Sequence, residues 1–337
     1  MEQNNVILEV KDLKKYFMPH MSLAQSLGGG KGKKVVKAVD GLNFSIRKGE
    51  IFGLIGESGS GKTTTGKLVM KLIEPTEGKL VFAGEDVTAI KGPELKAYRR
   101  KVQMIFQDPY ASMNPRFKIR DVLEEPLVIH HLGGGRQERD LAVKKALEEV
   151  NMTPPEDFMG RWPHMLSGGQ RQRVATARTL ILNPMMLVAD EPVSMIDLST
   201  RAEILHMMKD VQQKLGLTYL YITHDLSTAR YFTDRIAVMY LGRIVEMGPA
   251  DDIIDNPLHP YTKALIEAVP EPSTGMVDVV KELPISGEIP SPANIPSGCR
   301  FHTRCPYAKP ECAELPEPEL EDVGNGHLHA CRRYKEI

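Results

Sequence analysis

One short segment constrains this chain more than any other. Gly56-Glu57-Ser58-Gly59-Ser60-Gly61-Lys62-Thr63 has the form G-x-x-x-x-G-K-[ST]. A loop of this kind works between an apolar strand and a helix. Only there do its backbone N–H groups converge, at the positive end of the helix, into a nest for phosphate oxygens. The flanks supply both elements. Ile51–Ile55 reads as a short buried strand. Thr63–Ile73 is predicted helical, because Leu68/Leu72 and Val69/Ile73 repeat at i, i+4. Gly56, Gly59 and Gly61 let the backbone close on an anion, with Glu57, Ser58 and Ser60 between them. Lys62 brings a point charge to the β/γ oxygens of a nucleoside triphosphate. Thr63, with Thr64 beside it, brings a hydroxyl for Mg²⁺.

Other segments of the same chemistry follow. Leu166-Ser167-Gly168-Gly169-Gln170 precedes a predicted helix over Arg171–Leu182 and offers an anion a hydroxyl, two unobstructed N–H groups and a dipole end. Met185–Ala189 is an apolar strand ending in Asp190 and Glu191. Asp190 is placed to hold Mg²⁺ through water, and Glu191 is the candidate general base for an attacking water. Tyr219–Thr223 is another apolar strand, followed by His224 and Asp225.

The rest of the chain sets the frame. Its 337 residues, 42% hydrophobic and 26% charged, suit one large or two smaller globular domains. A formal net charge of −1 gives no bulk attraction to nucleic acid or anionic membrane. No apolar stretch approaches the roughly 18–20 residues that span a bilayer, and Met1–Val10, with Glu2 and Glu9, does not read as a signal peptide. The expectation is a cytosolic chain whose membrane role, if any, needs other polypeptides. Val6–Val10 and Leu42–Ile46 read as strands around an irregular insert, 19–34. Leu141–Val150 and Arg201–Leu215 read as helices, the latter with Ile204, Met207, Met208 and Val211 on one face. Arg235–Tyr240 and Arg243–Met247 read as a hairpin about Leu241-Gly242. Prolines 270, 272, 284, 290, 292 and 296 mark an extended strap. Beyond it lie all four cysteines, Cys299, Cys305, Cys312 and Cys331. Clustered thiols in a reducing compartment suggest metal ligation more than disulfides. Their C-x5-C-x6-C-x18-C spacing is neither the usual zinc pattern nor a ferredoxin run.

The motifs, in this order, resemble those of the ATP-binding-cassette (ABC) ATPases. The resemblance implies an α/β P-loop NTPase fold: a RecA-like core with an antiparallel β subdomain and a helical subdomain over about 108–180, together spanning 1–255. A small cysteine-bearing extension, 256–337, follows. It also implies ATP and Mg²⁺ as ligands. Gln107 in Phe106-Gln107-Asp108-Pro109 would sense Mg²⁺ and water, His224 would contact the γ-phosphate, and Phe17 or its neighbour Tyr16 would stack on adenine. Ser167, Gly168, Gly169 and Gln170 of one subunit would complete the ATP site of another, so head-to-tail pairing is implied. The chain departs from the family at Ser194-Met195-Ile196-Asp197, where Ser-Ala-Leu-Asp is usual.

Finer detail resembles the ATP-binding subunits of oligopeptide/dipeptide permeases: Phe106–Pro115, Leu258-His259-Pro260-Tyr261-Thr262 and Ser297–Pro306. The insert after Phe17 looks more like the F-type than the D-type subunit. This implies a second, homologous ATPase partner (a homodimer is the alternative), two transmembrane permease subunits, an extracytoplasmic substrate-binding protein, no nucleic acid, and a place at the cytoplasmic face of the membrane. Di- or oligopeptides are the implied cargo; oligosaccharides or nickel chelates are the alternatives. A soluble repair or translation ATPase fits poorly, since the gap from Lys62 to Ser167 is only 105 residues and there is one cassette. Related permease ATPases carry a [4Fe–4S] cluster in this tail, which the four thiols suit; zinc or free thiols remain open. Lying beyond the catalytic core, the tail is expected to stay out of hydrolysis.

Overall fold

The computed structural model describes residues 5–18, 35–268, 285 and 287–337; the insert 19–34 and most of the proline strap lie outside them. Two sheets organise the cassette. The smaller is antiparallel: β1 (Val6–Phe17), β2 (Val36–Arg47), β4 (Glu77–Phe82) and β5 (Glu85–Asp86), in the order β2-β1-β4-β5. Its first two strands run well beyond the predicted cores and pair with each other along that added length, from Leu13 opposite Leu42 to Phe17 opposite Val36.

The larger sheet carries the chemistry. β3 (Ile51–Ile55) lies between β8 (Thr218–Thr223) and β9 (Arg235–Tyr240), parallel to both. β7 (Met186–Asp190) and β6 (Val102–Ile105) extend it in parallel beyond β8. Parallel strands are covered on both faces, which explains their unbroken apolar runs. Successive residues feed opposite cores: Leu187, Tyr219 and Tyr221 pack on one face, Met186, Val188, Leu220 and Ile222 on the other. In such sheets the carboxyl ends of the strands host ligands. Gly56, Gln107, Glu191 and His224 all follow those ends.

Helix α1 (Lys62–Val69) leaves the phosphate loop and α2 (Gly92–Lys101) leads into β6. The helical subdomain follows as α3 (Ile119–Ile129), α4 (Arg136–Glu149), α5 (Glu156–Met159) and α6 (Gly168–Leu180). Then come α7 (Leu198–Leu215), α8 (Leu226–Phe232), α9 (Ala250–Asp255) and α10 (Pro260–Glu267). The helix after the phosphate loop ends at Val69 rather than Ile73. Lys71 turns left-handed (φ 53°) because its buried ammonium is held by the Thr88 carbonyl and the Glu74 carboxylate. Two other helices begin three residues earlier than predicted, at Gly168 and Leu198. The face Ile204, Met207, Met208, Val211 is buried as expected.

The tail joins the cassette directly. β10 (Arg243–Pro249) forms the predicted hairpin with β9, and beyond it come β12 (Leu328–His329) and β11 (Glu321–Asp322), extending the large sheet. Buried Glu246 of β10 accepts from the backbone of Leu258 (2.7 Å) and His259 (2.9 Å) and lies 2.8 Å from His327 Nε2. His259 itself caps α10, its Nδ1 accepting from Tyr261 N–H at 3.1 Å. That bond needs a neutral ring, and burial pushes the imidazole down to about 4. A base whose folded pKa lies below its unfolded value (about 6.5) costs stability as pH falls between the two. The expected loss is about 3 kcal/mol between pH 7 and 4. Asn is also a good cap. His259→Asn should therefore unfold in denaturant with a shallower acid dependence than the parent over that range. Identical pH profiles would remove His259 from the account.

Candidate nucleotide site

The phosphate loop joins the centre of the large sheet to α1. Gly61 sits at φ 108°, and a Cβ there would meet the Ala38 carbonyl oxygen at 2.2 Å, so backbone contact enforces glycine. Ser58, Gly59 and Thr63 are exposed, Glu57, Gly61 and Thr64 half-buried, and Gly56, Ser60 and Lys62 buried. Lys62 Nζ donates to the carbonyls of Gly56 (2.6 Å) and Glu57 (2.9 Å) and lies 3.5 Å from Ser60 Oγ. Burial pushes this ammonium down from its usual range, against the pull of Glu191, Asp190 and Glu57.

Across from the loop, Thr63 Oγ1 donates to Asp190 Oδ1 at 3.1 Å. Burial raises the Asp190 carboxyl above the usual range, and Glu191 adds repulsion. A buried carboxylate beside a hydroxyl, short of a positive partner, is a fitting seat for a divalent cation. Glu191 follows in a left-handed turn (φ 47°), with its N–H donating to the Ile222 carbonyl at 2.8 Å. One of its oxygens accepts from Gln107 Nε2 at 2.9 Å; the other lies 3.0 Å from His224 Nδ1. Three residues distant in sequence thus meet at one carboxylate, which can take a proton from a water placed between it and the loop.

The other expected site residues sit apart. Ser167 caps α6: its Oγ accepts from Gln170 N–H (3.3 Å), and Gln170 Oε1 accepts from Ser167 N–H (3.1 Å). Among the described residues no hydrogen bond ties Ser167, Gly168, Gly169 or Gln170 to the phosphate loop of the same chain. The two candidate aromatics part ways. Tyr16 is bound through its hydroxyl to Asp40, which also pairs with Arg300, whereas Phe17 is 42% exposed, with Lys15 Nζ 5.2 Å from its ring centre. Of the two, Phe17 has the exposed ring and Tyr16 the engaged one.

Two site neighbours escape any local sequence pattern. Tyr261 accepts the Glu57 N–H at 2.8 Å, and Arg304 binds the Glu57 carboxylate through both terminal nitrogens, at 2.7 and 3.0 Å. In the tail, Cys299, Cys305, Cys312 and Cys331 line one cavity. Cys299 N–H donates to the Cys312 carbonyl at 2.8 Å. Burial pushes the Cys299 thiol up to about 12 and Cys331 to about 11. Among the described residues, no group of three or more His, Cys, Asp or Glu is arranged to hold a metal ion.

A loop–helix phosphate nest, an Asp-Glu pair at a strand end, and a His and a Gln converging on that Glu define a nucleotide-hydrolysing cassette. The ABC transporter family matches residues 39–194, and the oligopeptide/dipeptide transporter C-terminal region matches residues 245–312. The oligopeptide transport ATP-binding protein AppF of Bacillus subtilis is 46% identical over 329 residues, covering 97% of this chain and 97% of that protein. OppF of Salmonella typhimurium, also an oligopeptide transport ATP-binding protein, is 42% identical over 325 residues, covering 95% and 94%. Among solved structures, the dimeric ATP-binding cassette MJ0796 bound to ADP and Pi aligns with a TM-score of 0.62 at 28% identity. The alignment covers 72% of this chain and 99% of that one. The chain belongs to the ATP-binding proteins of oligopeptide/dipeptide ABC transporters, and it is an ATPase of that family. No helix among the described residues is long and apolar enough to cross a membrane.

Proposed function

We propose that this chain hydrolyses ATP to drive import of di- and oligopeptides, as a peripheral subunit at the cytoplasmic face of the membrane. The observation that carries the ATPase is the meeting of Gln107 and His224 on Glu191, opposite Lys62 and the Thr63–Asp190 contact. Support for peptide cargo comes from what the relatives are called and from the C-terminal match. The nucleotide-binding cassette is assigned to 1–255, with its helical subdomain at about 108–180, and the extension to 256–337.

Placement supports the following roles. Gly56–Thr64 holds the phosphates, and Phe17 takes the adenine. Thr63 and Gln107 are the residues that would hold Mg²⁺, with Asp190 acting through water. Bound there, the ion neutralises charge on the β/γ oxygens. Glu191 takes the proton of the attacking water, and His224 stands beside it for the γ-phosphate. Ser167, Gly168, Gly169 and Gln170 serve the site of a second ATP-binding subunit, of a different chain in the leading reading. Met195 (63% exposed) and Leu198 (79%) leave apolar surface beside Glu191's loop for that partner. Two permease subunits and an extracytoplasmic binding protein complete the assembly. Cells lacking this chain should lose uptake of a labelled tripeptide, and the parent sequence should restore it. The chain should co-purify with two polytopic membrane proteins and a second ATPase. Unchanged tripeptide uptake would overturn the cargo, and isolation with ribosomes or DNA would overturn the importer.

For the tail we favour a [4Fe–4S] cluster held by Cys299, Cys305, Cys312 and Cys331, with zinc as the alternative. What supports the reading is that all four thiols line one common cavity. Bound, the group would supply four crosslinks to a lobe with little core of its own. Anaerobically purified protein should be brown, with broad absorption near about 400 nm and about four irons per chain. Cys305→Ser should bleach it and expose the chain beyond about residue 285 to protease. Stoichiometric zinc without iron would overturn the cluster.

A further inference from the structure

The phosphate loop contains an acid. Glu57 sits in the nest meant for a triphosphate, where a carboxylate repels the ligand. Its charge is met by the tail. Arg304, whose side chain is 8% exposed, grips both Glu57 oxygens in parallel, at 2.7 and 3.0 Å. The guanidinium also lies 5.9 Å from the Tyr240 ring centre. Tyr240 packs against Tyr261 (4.7 Å) and Phe301 (5.4 Å), so the arginine rests on an aromatic floor shared by cassette and tail.

Every polar part of Glu57 is engaged. Its carboxylate goes to Arg304 and its N–H to Tyr261. Its carbonyl accepts from Lys62 Nζ and from Ser60 N–H, the latter at 3.2 Å. The residue whose carbonyl holds Lys62 Nζ is therefore itself fixed by the tail.

We infer that Arg304 is a positioning residue for ATP: it neutralises Glu57 and aims it away from the triphosphate, so that the tail is part of the nucleotide site. This goes beyond the ATPase assignment and does not depend on what the four thiols hold. It also revises the expectation that the tail stays out of the reaction.

The test is a charge-rescue cycle on the full chain, read as MgATP affinity and as KM against kcat. Arg304→Gln should weaken MgATP binding on the order of tenfold, the scale of one unscreened like charge at a partly exposed site, with kcat little changed. Glu57→Gln alone sets the reference for a neutral loop, and adding Arg304→Gln to it should change MgATP affinity less than about threefold, since the neutral amide no longer needs the arginine. The double variant should therefore bind MgATP more tightly than Arg304→Gln alone. A purely structural contact gives no such rescue, because removing the second partner cannot restore docking. If Arg304→Gln does not fold, Arg304→Lys carries the same cycle, with a smaller loss that Glu57→Gln again removes. Parent-like affinity in folded Arg304→Gln overturns the proposal, and so does a double variant as weak as the arginine variant. Lys62→Ala, measured alongside, reports separately on whether the loop is the triphosphate site.

Discussion

Glu191→Gln is expected to bind MgATP as the parent does and to turn it over about 10²–10⁴-fold more slowly, the usual contribution of a positioned general base. The carboxylate has a backbone of its own making: a left-handed turn at φ 47°, pinned by its N–H to Ile222 and by Ser194 Oγ to its carbonyl at 3.0 Å. Gln has the same length and keeps an oxygen to accept from Gln107. Nothing in the phosphate nest changes, so affinity should hold. What is lost is the capacity to take a proton. The His224 contact, 3.0 Å in the parent, weakens with the lost charge but does not supply a base in its place. Equilibrium binding of a fluorescent nucleotide and single-turnover hydrolysis separate the two effects. Turnover within a few fold of the parent would assign the base elsewhere.

The sequence makes some of these residues legible and others not. The strand–loop–helix at 51–69 is legible, because burial on both sheet faces demands apolar runs and the loop demands glycine. Its end is not: Leu72 and Ile73 continue the i, i+4 pattern, yet Lys71 finds a buried carbonyl and leaves the helix. The starts at Gly168 and Leu198 are not legible, because a glycine pair and a 79% exposed leucine carry no amphipathic signal, although Ser167 and Asp197 stand at the cap positions. Glu191, Gln107 and His224 each follow the end of a strand, and local sequence stops there. Their meeting depends on the strand order β6-β7-β8, which only the family resemblance suggested. Nothing suggested that Arg304 would reach Glu57. Arg304 lies in the irregular segment 297–309, which forms no helix or strand and so has no period to read.

Lys62→Ala should weaken MgATP binding about 100-fold while leaving the empty protein nearly as stable as before. The two expectations come from one environment. The ammonium is buried, with the carbonyls of Gly56 and Glu57 at 2.6 and 2.9 Å as its partners, and burial disfavours its charge. Removing a desolvated charge recovers about what the lost carbonyl bonds cost, so the unfolding midpoint without nucleotide should move little. With a triphosphate present the balance reverses. The ammonium would then face phosphate oxygens, and charge-assisted hydrogen bonds contribute about 1.5–3 kcal/mol each. Their loss is about two decades of affinity, or about 2.7 kcal/mol. Because ligand stabilises by RT ln(1 + [L]/Kd), saturating MgATP should protect the variant by about 2.7 kcal/mol less than the parent. Thermal melts with and without MgATP measure both quantities on the same sample. Equal protection of parent and variant would mean that Lys62 does not touch the phosphates, and the site would have to be redrawn.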